Sequence, residues 1–124
     1  MRVLIADDEK DLRDSIAEYL SIEGLEIKTA ENGLSALRLL EDEVFDVLVL
    51  DLKMPGADGL EVLSRLNAEG NKTPVIMISA FGEVSDAVRA MKLGAEDYLV
   101  KPFETEELYI KVMRAGEKSK LMRE

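Results

Sequence analysis

The 124-residue sequence contains no cysteine, no histidine and no tryptophan, and only 5 % of its residues are aromatic. Without cysteine there is no disulfide framework and no thiolate site. Without histidine the chain lacks the usual general base and the commonest zinc ligand. Long apolar runs and a basic amino-terminal segment are also missing, so we expect an untargeted, soluble chain in the cytoplasm. Any chemistry must come from carboxylates, lysines and hydroxyls.

The charge balance is strongly acidic, with 26 Asp and Glu against 16 Lys and Arg and a net charge of −10. Such a surface repels phosphate backbones and anionic lipids, so we expect no direct nucleic-acid binding and no membrane association. Basic protein surfaces and metal cations are the expected partners. The length suits one domain with a single core of aliphatic side chains.

Short apolar runs alternate with amphipathic stretches, which predicts a doubly wound α/β fold with helices on both faces of a parallel sheet. The first, third and fourth runs are almost wholly apolar, as in strands buried on both faces, whereas the second alternates like an edge strand. The predicted strands are residues 3–6, 26–30, 47–50, 75–78 and 98–100, and the predicted helices are residues 10–22, 33–41, 59–68, 84–93 and 105 to about 118.

Residues with a chemical handle follow four of the five predicted strands, where ligands bind in open parallel sheets. Three carboxylates brought together there, about 4 Å apart, would repel by several kcal/mol per pair at an intermediate dielectric, so a cation must lie among them. Oxygen ligands without His or Cys favour Mg²⁺. The five residues are Asp7 and Asp8 after the first strand, Asp51 after the third, Ser79 after the fourth and Lys101 after the fifth.

Four segments of the chain carry a recognisable pattern: VLIADDE at 3–9, VLVLDLKMPG at 47–56, ISA at 78–80 and YLVKPF at 98–103. Together they resemble the receiver domains of bacterial two-component response regulators. The resemblance covers nearly the whole chain and implies a five-stranded, flavodoxin-like three-layer sandwich with strand order 2-1-3-4-5. Residues 81–98 look most like receivers attached to AAA+ transcriptional activators of the nitrogen-regulation type.

Position by position, the resemblance implies that Asp51 accepts a phosphoryl group from the phosphohistidine of a sensor histidine kinase or from a small acyl phosphate. Lys101 would pair with one phosphoryl oxygen, and the Ser79 hydroxyl would bond another. Phosphoryl transfer needs positioning and positive charge more than a proton shuttle, so the missing histidine is no obstacle. Catalysis would be limited to the chain's own phosphorylation and dephosphorylation, so we do not expect a conventional enzyme.

The resemblance also implies the ligands of Mg²⁺. Asp8 would hold the ion directly and Asp7 largely through water, while Asp51 and the backbone carbonyl of Lys53 would complete the protein ligands. It further implies a cis peptide bond between Lys101 and Pro102.

A switch is implied at Tyr98, the position of the family's mobile aromatic residue. When phosphorylated Asp51 draws Ser79 inward, the Tyr98 ring would turn in and change the surface of the fourth helix, fifth strand and fifth helix. That surface would control an output, expected to be transcription, and would serve a homodimer. Lys53 and Phe81 border the path of the attacking water, and we predict that the bulky Phe81 slows loss of the phosphoryl group.

The carboxyl-terminal segment leaves two interpretations open. Apolar or small residues continue at spacings of four and three, so the last helix either runs into a short coiled-coil linker or ends in a solvated tail. We predict a receiver domain over residues 1–118, with residues 119–124 as a tail or the start of a linker to an output domain. The spaced residues are Leu108, Val112, Ala115, Ser119 and Met122.

Rival interpretations differ in chemistry. A haloacid-dehalogenase type phosphatase needs a second Asp two residues after its nucleophile, where this chain has Lys53. A flavodoxin-like FMN carrier needs a first loop rich in Ser, Thr and Gly, whereas this one is acidic. A receiver-like interaction module that works without phosphorylation stays open as the alternative.

Overall fold

A computed structural model describes residues 1–80 and 82–123 of the chain. The strands are β1 (Arg2–Ala6), β2 (Glu26–Ala30), β3 (Val47–Asp51), β4 (Val75–Ala80) and β5 (Asp97–Lys101). The helices are α1 (Lys10–Ile22), α2 (Gly33–Asp42), α3 (Gly59–Ala68), α4 (Val84–Lys92) and α5 (Thr105–Arg123). All strand pairs are parallel and form one sheet in the order β2-β1-β3-β4-β5. The expected fold class and strand order are therefore confirmed.

Alternate residues of the central strands β1, β3 and β4 point to opposite faces, and both faces are buried. On one face, Val3, Val49 and Ile76 pack with residues of α1 and α5. On the other, Leu4 and Leu50 pack with residues of α2, α3 and α4. The predicted edge strand β2 does lie at an edge and is largely exposed. The sheet is thus the middle layer of three, fixed by apolar burial on both sides.

Most element bounds agree with the prediction to within one or two residues, but α5 continues beyond its predicted end near residue 118 to Arg123. Leu108, Val112 and Ala115 are buried in the cluster that α1 and α5 form with one face of the sheet, and Ser119 is also buried, so the four-three spacing as far as Ser119 marks a buried stripe. The side chain of Met122 lies outside the described residues. The division between domain and linker at residue 118 stays a prediction. None of the helices over the described residues is long and apolar enough to cross a bilayer.

Two glycines let α2 and α3 begin against the loop that follows β3. A Cβ atom at Gly59 would lie 2.6 Å from the carbonyl oxygen of Asp51 and 2.9 Å from the Cα of Leu52. A Cβ atom at Gly33 would overlap the carbonyl oxygen of Ala57 at the other end of the same loop. Since these neighbours are backbone atoms, no side-chain rotation relieves the overlap. This close packing sets the position of the loop, and with it that of Asp51.

We expect Gly59→Ala to lower the free energy of unfolding by about 1–3 kcal/mol, because the new methyl group must displace the β3 backbone. Helix propensity alone predicts the opposite, a gain of about 1 kcal/mol. Urea denaturation measures the difference. Ser64→Ala, an exposed substitution in the same helix, is the control and should be neutral or slightly stabilising. A Gly59→Ala protein as stable as the wild type would contradict the packing argument.

Candidate functional site

The parallel register brings the carboxyl ends of the strands to one edge. Asp7 follows β1, Asp51 ends β3 beside Ile78 of β4, and Lys101 ends β5 beside Ala80 of β4. Ser79 therefore lies next to the strand position that pairs with Asp51. The chain order alternates strand and helix, so residues far apart in sequence meet only because every strand runs in the same direction.

Three carboxylates gather at this edge, as predicted. Asp7, Asp8 and Asp51 each offer an oxygen atom, and these atoms lie within 4.8 Å of one another. Asp7 and Asp51 are 1 % and 5 % exposed, whereas Asp8 is exposed. The carboxylates of Asp7 and Asp51 are therefore largely removed from water. In the protein interior their mutual repulsion is poorly screened.

Over the part of the chain that the structure describes, one ammonium group faces this cluster. Lys101 Nζ lies 3.5 Å from Asp7 Oδ2, 3.5 Å from Asp51 Oδ1 and 3.4 Å from Glu9 Oε1. Its side chain is only 18 % exposed. A single positive charge is thus shared by three carboxylates, and the partner Glu9 was not predicted from the sequence. The expected cis bond between Lys101 and Pro102 is present.

Burial and charge shift the ionisation of the central pair. Burial, together with the neighbouring negative charge of Asp7, raises the pKa of Asp51 from its ordinary 3.8 to about 7. Burial lowers the pKa of Lys101, but attraction to Asp51, Asp7 and Glu9 outweighs it, so that this pKa is raised. Lys101 stays protonated at neutral pH, while the protein alone stabilises the ionised form of Asp51 incompletely.

The backbone around Asp7 is held by residues that sequence reasoning also missed. Asp7 Oδ1 accepts a hydrogen bond of 2.9 Å from the amide of Glu9, and the carbonyl of Asp7 accepts one of 2.8 Å from the Arg13 guanidinium. The Asp7 amide donates to the carbonyl of Ala30 at the end of β2. No periodic or motif signal marks Arg13, because its contact arises from the turn into α1.

An unsatisfied oxygen shows where a cation fits. Asp7 Oδ2 is buried and, among the described residues, accepts no hydrogen bond, although Lys101 Nζ lies 3.5 Å away. A buried carboxylate oxygen without a donor is costly. The three carboxylates offer the oxygen ligands that Mg²⁺ prefers. Asp8 and Lys53 border one cavity of about 380 Å³ beside them. The residues present therefore fit a divalent cation.

Ser79 and Tyr98 line a different cavity from the one that Asp8 and Lys53 border. Both line an apolar groove of about 710 Å³ between β4, β5 and α4, with Ser79 buried and Tyr98 43 % exposed at the rim. Val84, Val88 and Met91 of α4 are exposed around the same groove. The groove therefore extends from Ser79, beside Asp51, to the partly exposed ring of Tyr98. Phe81 lies outside the described residues.

Comparison with known proteins decides the family. A family model described as the response regulator receiver domain matches residues 3–113. The chain belongs to this family. Phosphorylation-dependent switching is the function of the family, and this receiver is a signalling switch of that kind rather than a conventional enzyme. Receiver domains of response regulators work with histidine kinases and with linked output domains.

Individual relatives agree with this assignment. Regulatory protein AtoC of Escherichia coli is 40 % identical over 114 residues, which are 92 % of this chain and 25 % of AtoC. Transcriptional regulatory protein TctD of Salmonella typhimurium is 43 % identical over 108 residues, 87 % of this chain and 48 % of TctD. The receiver domain of NtrX from Brucella abortus has 38 % identity and a TM-score of 0.88, covering 93 % of this chain and 98 % of that one. This receiver spans about a quarter to a half of the curated relatives' lengths.

We expect the metal-free receiver to lose stability as the pH rises from about 4 to about 7, because folding holds a proton on Asp51 that the unfolded chain releases. Above about pH 7 both states are ionised and the loss levels off. Asp51→Asn has no carboxyl group to ionise at this position, so the variant should lack this loss of stability, which amounts to roughly 2–4 kcal/mol at neutral pH.

Urea denaturation of both proteins in chelator, from about pH 4 to about pH 8, measures the difference, in which shared carboxylates cancel. Asp58→Asn is the matched control, since Asn keeps the cap that Asp58 provides to α3. Identical pH profiles for wild type and Asp51→Asn would refute the burial-driven rise in the pKa of Asp51.

Proposed function

We propose that Asp51 is the phosphoacceptor of this receiver. The observation that carries the proposal is a 5 % exposed carboxylate at the end of a central strand, 3.5 Å from a lysine ammonium and beside two further aspartates. A buried carboxylate whose ionised form is incompletely stabilised is primed to react with an electrophile and to gain from added positive charge.

The transfer needs few groups. Asp51 attacks phosphorus with a carboxylate oxygen while the bond to the donor, a phosphohistidine nitrogen or an acyl oxygen, breaks and leaves its electrons on the donor. Lys101 pairs with a phosphoryl oxygen as negative charge arrives, since it already lies within reach of Asp51. The hydroxyl of Ser79 donates to another phosphoryl oxygen. None of these contacts or steps requires a histidine in this chain.

Mg²⁺ is the proposed cofactor, held by Asp7, Asp8, Asp51 and the backbone carbonyl of Lys53. The unsatisfied Asp7 Oδ2 and the oxygen-only donor set support this assignment. When bound, Mg²⁺ supplies positive charge beside the oxygens of the transferring group. With the ion bound, Asp51 would stay ionised and nucleophilic at neutral pH, and Lys101 would be available to pair with the incoming phosphoryl oxygen.

The proposed output is a change in the surface formed by α4, β5 and α5. Ser79 moves toward the phosphoryl group, and Tyr98 turns from solvent into the groove that both residues line. The volume of that groove exceeds what a phenol ring needs, which supports the inward position. An added dianion biases this two-state surface; a swing from 1:99 to 99:1 takes about 5.5 kcal/mol of differential stabilisation.

The proposed partners would act at the site of Asp51 and at the surface formed by α4, β5 and α5. A sensor histidine kinase supplies the phosphoryl group in the cytoplasm, and the altered surface acts on a linked output domain or a downstream protein, with transcription as the output. Exposed apolar residues on α4 and β5, among them Val88, Met91 and Tyr98, support a homodimer across this face. Lys53 and Phe81 are proposed to tune the lifetime of the phosphoryl group.

Incubation with an acyl phosphate and Mg²⁺ should add about 80 Da to the chain, the mass of one phosphoryl group. Intact-mass spectrometry detects it. Asp51→Asn and chelation of Mg²⁺ should each abolish the gain, whereas Asp58→Asn, a nearby aspartate substitution, should keep it. Unmodified wild-type protein under these conditions would favour the alternative, a receiver-like interaction module that works without phosphorylation.

Fluorotyrosine labelling should reveal the switch, because the chain has only three tyrosines. On addition of a phosphoryl analogue, the fluorine NMR signal of Tyr98 should shift and become shielded from solvent quenchers. The signal of Tyr19, which lies on α1 outside that surface, is the internal control. Ser79→Ala should weaken the Tyr98 response. A Tyr98 signal unaffected by the analogue would count against this part of the proposal.

A further inference from the structure

A carboxylate from outside the acidic cluster reaches across the mouth of the site. Glu83 Oε1 lies 4.0 Å from Lys53 Nζ, and Glu83 Oε2 accepts a hydrogen bond of 3.4 Å from the amide of Ala80. The Glu83 side chain is 21 % exposed. One anion thus contacts a positive group on the loop after β3 and an amide at the end of β4, linking the two loops beside Asp51.

Both donors flank the proposed acceptor. Lys53 is two residues beyond Asp51 in the chain. Ala80 follows Ser79 directly and is the ladder partner of Lys101. A phosphoryl group on Asp51 would bring oxygen atoms with negative charge into the space between Ser79 and Lys101. Phosphoryl and carboxylate oxygens seek the same donors, an ammonium and a backbone amide.

The free amides in the first turn of α4 are a second set of possible donors for Glu83. It is the N-cap residue of α4, yet its side chain makes no capping hydrogen bond with the described residues of the helix. A carboxylate at a helix N-terminus is normally stabilised by the free amides of the first turn. The preceding Gly82 has φ +94, a conformation that glycine adopts readily. The Glu83 carboxylate therefore contacts Ala80 and Lys53 instead of the amides of the first turn.

We propose that Glu83 is a positioning residue that opposes phosphorylation by occupying the Lys53 ammonium and the Ala80 amide in the unphosphorylated receiver. The inference rests on the proposed role of Asp51. A phosphoryl group competes for the two donors and repels the carboxylate. Displaced, Glu83 can turn to the first-turn amides of α4. Phosphorylation therefore frees the Glu83 side chain to cap α4, the helix that borders the groove of Tyr98.

The test is the affinity of the full chain for beryllium trifluoride, a phosphoryl analogue, in saturating Mg²⁺. Glu83→Gln keeps the size of the side chain but removes its charge, and should tighten analogue binding on the order of 3- to 10-fold. Asp86→Asn removes one charge from the first turn of the same helix and should change the affinity less than about twofold, since Asp86 pairs with Arg89 instead.

Two further readouts separate competition from a structural effect. Mg²⁺ affinity without the analogue should stay within about twofold for Glu83→Gln, because a carboxylate engaged with Lys53 does not hold the ion. Glu83→Asp, too short to reach both donors, should resemble Glu83→Gln in analogue affinity. Unchanged or weaker analogue binding by Glu83→Gln would overturn the inference. A wild-type chain that binds no analogue in Mg²⁺ would instead overturn the proposed function.

Discussion

The structure depends on how a single ammonium group is shared among carboxylates at the end of the sheet. Asp7 and Asp51 are buried together, and each lies 3.5 Å from Lys101 Nζ. One positive charge cannot balance two buried negative charges, so burial and repulsion raise the pKa of Asp51 to about 7. The site is therefore short of positive charge, which favours the proposed binding of a cation. This shortage links the proposed cation binding and the proposed reactivity of Asp51 to the stability of the fold.

The rest of the fold holds this arrangement in place. Central strands buried on both faces cannot slide without exposing their apolar residues, so the end of β3 that carries Asp51 stays in register. Lys101 is placed by the pairing of the edge strand β5 with β4. Gly59 lets α3 begin against the β3 backbone and fixes the loop that carries Lys53. On the other side of the site, Glu83 contacts the amide of Ala80 and the ammonium of Lys53.

Much of this was predictable because two simple rules apply to the sequence. Hydrophobic periodicity located every strand and helix, and the rule that ligands bind at the carboxyl ends of parallel strands placed Asp7, Asp51 and Lys101 together. The sheet order and the cis bond before Pro102 came from family resemblance alone. The contacts of Glu9 and Glu83 could not be predicted, since they depend on loop geometry rather than on a repeating pattern. The end of α5 was missed because a core-facing stripe and a linker have the same four-three spacing. The roles given to individual side chains stay predictions.

Lys101 alone leaves the carboxylate cluster with too little positive charge, and a divalent cation is proposed to supply the rest. Calorimetric titration of the metal-free chain with Mg²⁺, repeated on Asp8→Asn, tests this most directly. We expect saturable binding to one site that raises the thermal midpoint of unfolding of the wild type, and a loss of most of that affinity in Asp8→Asn. Wild-type protein that neither binds Mg²⁺ nor gains thermal stability from it would contradict the account.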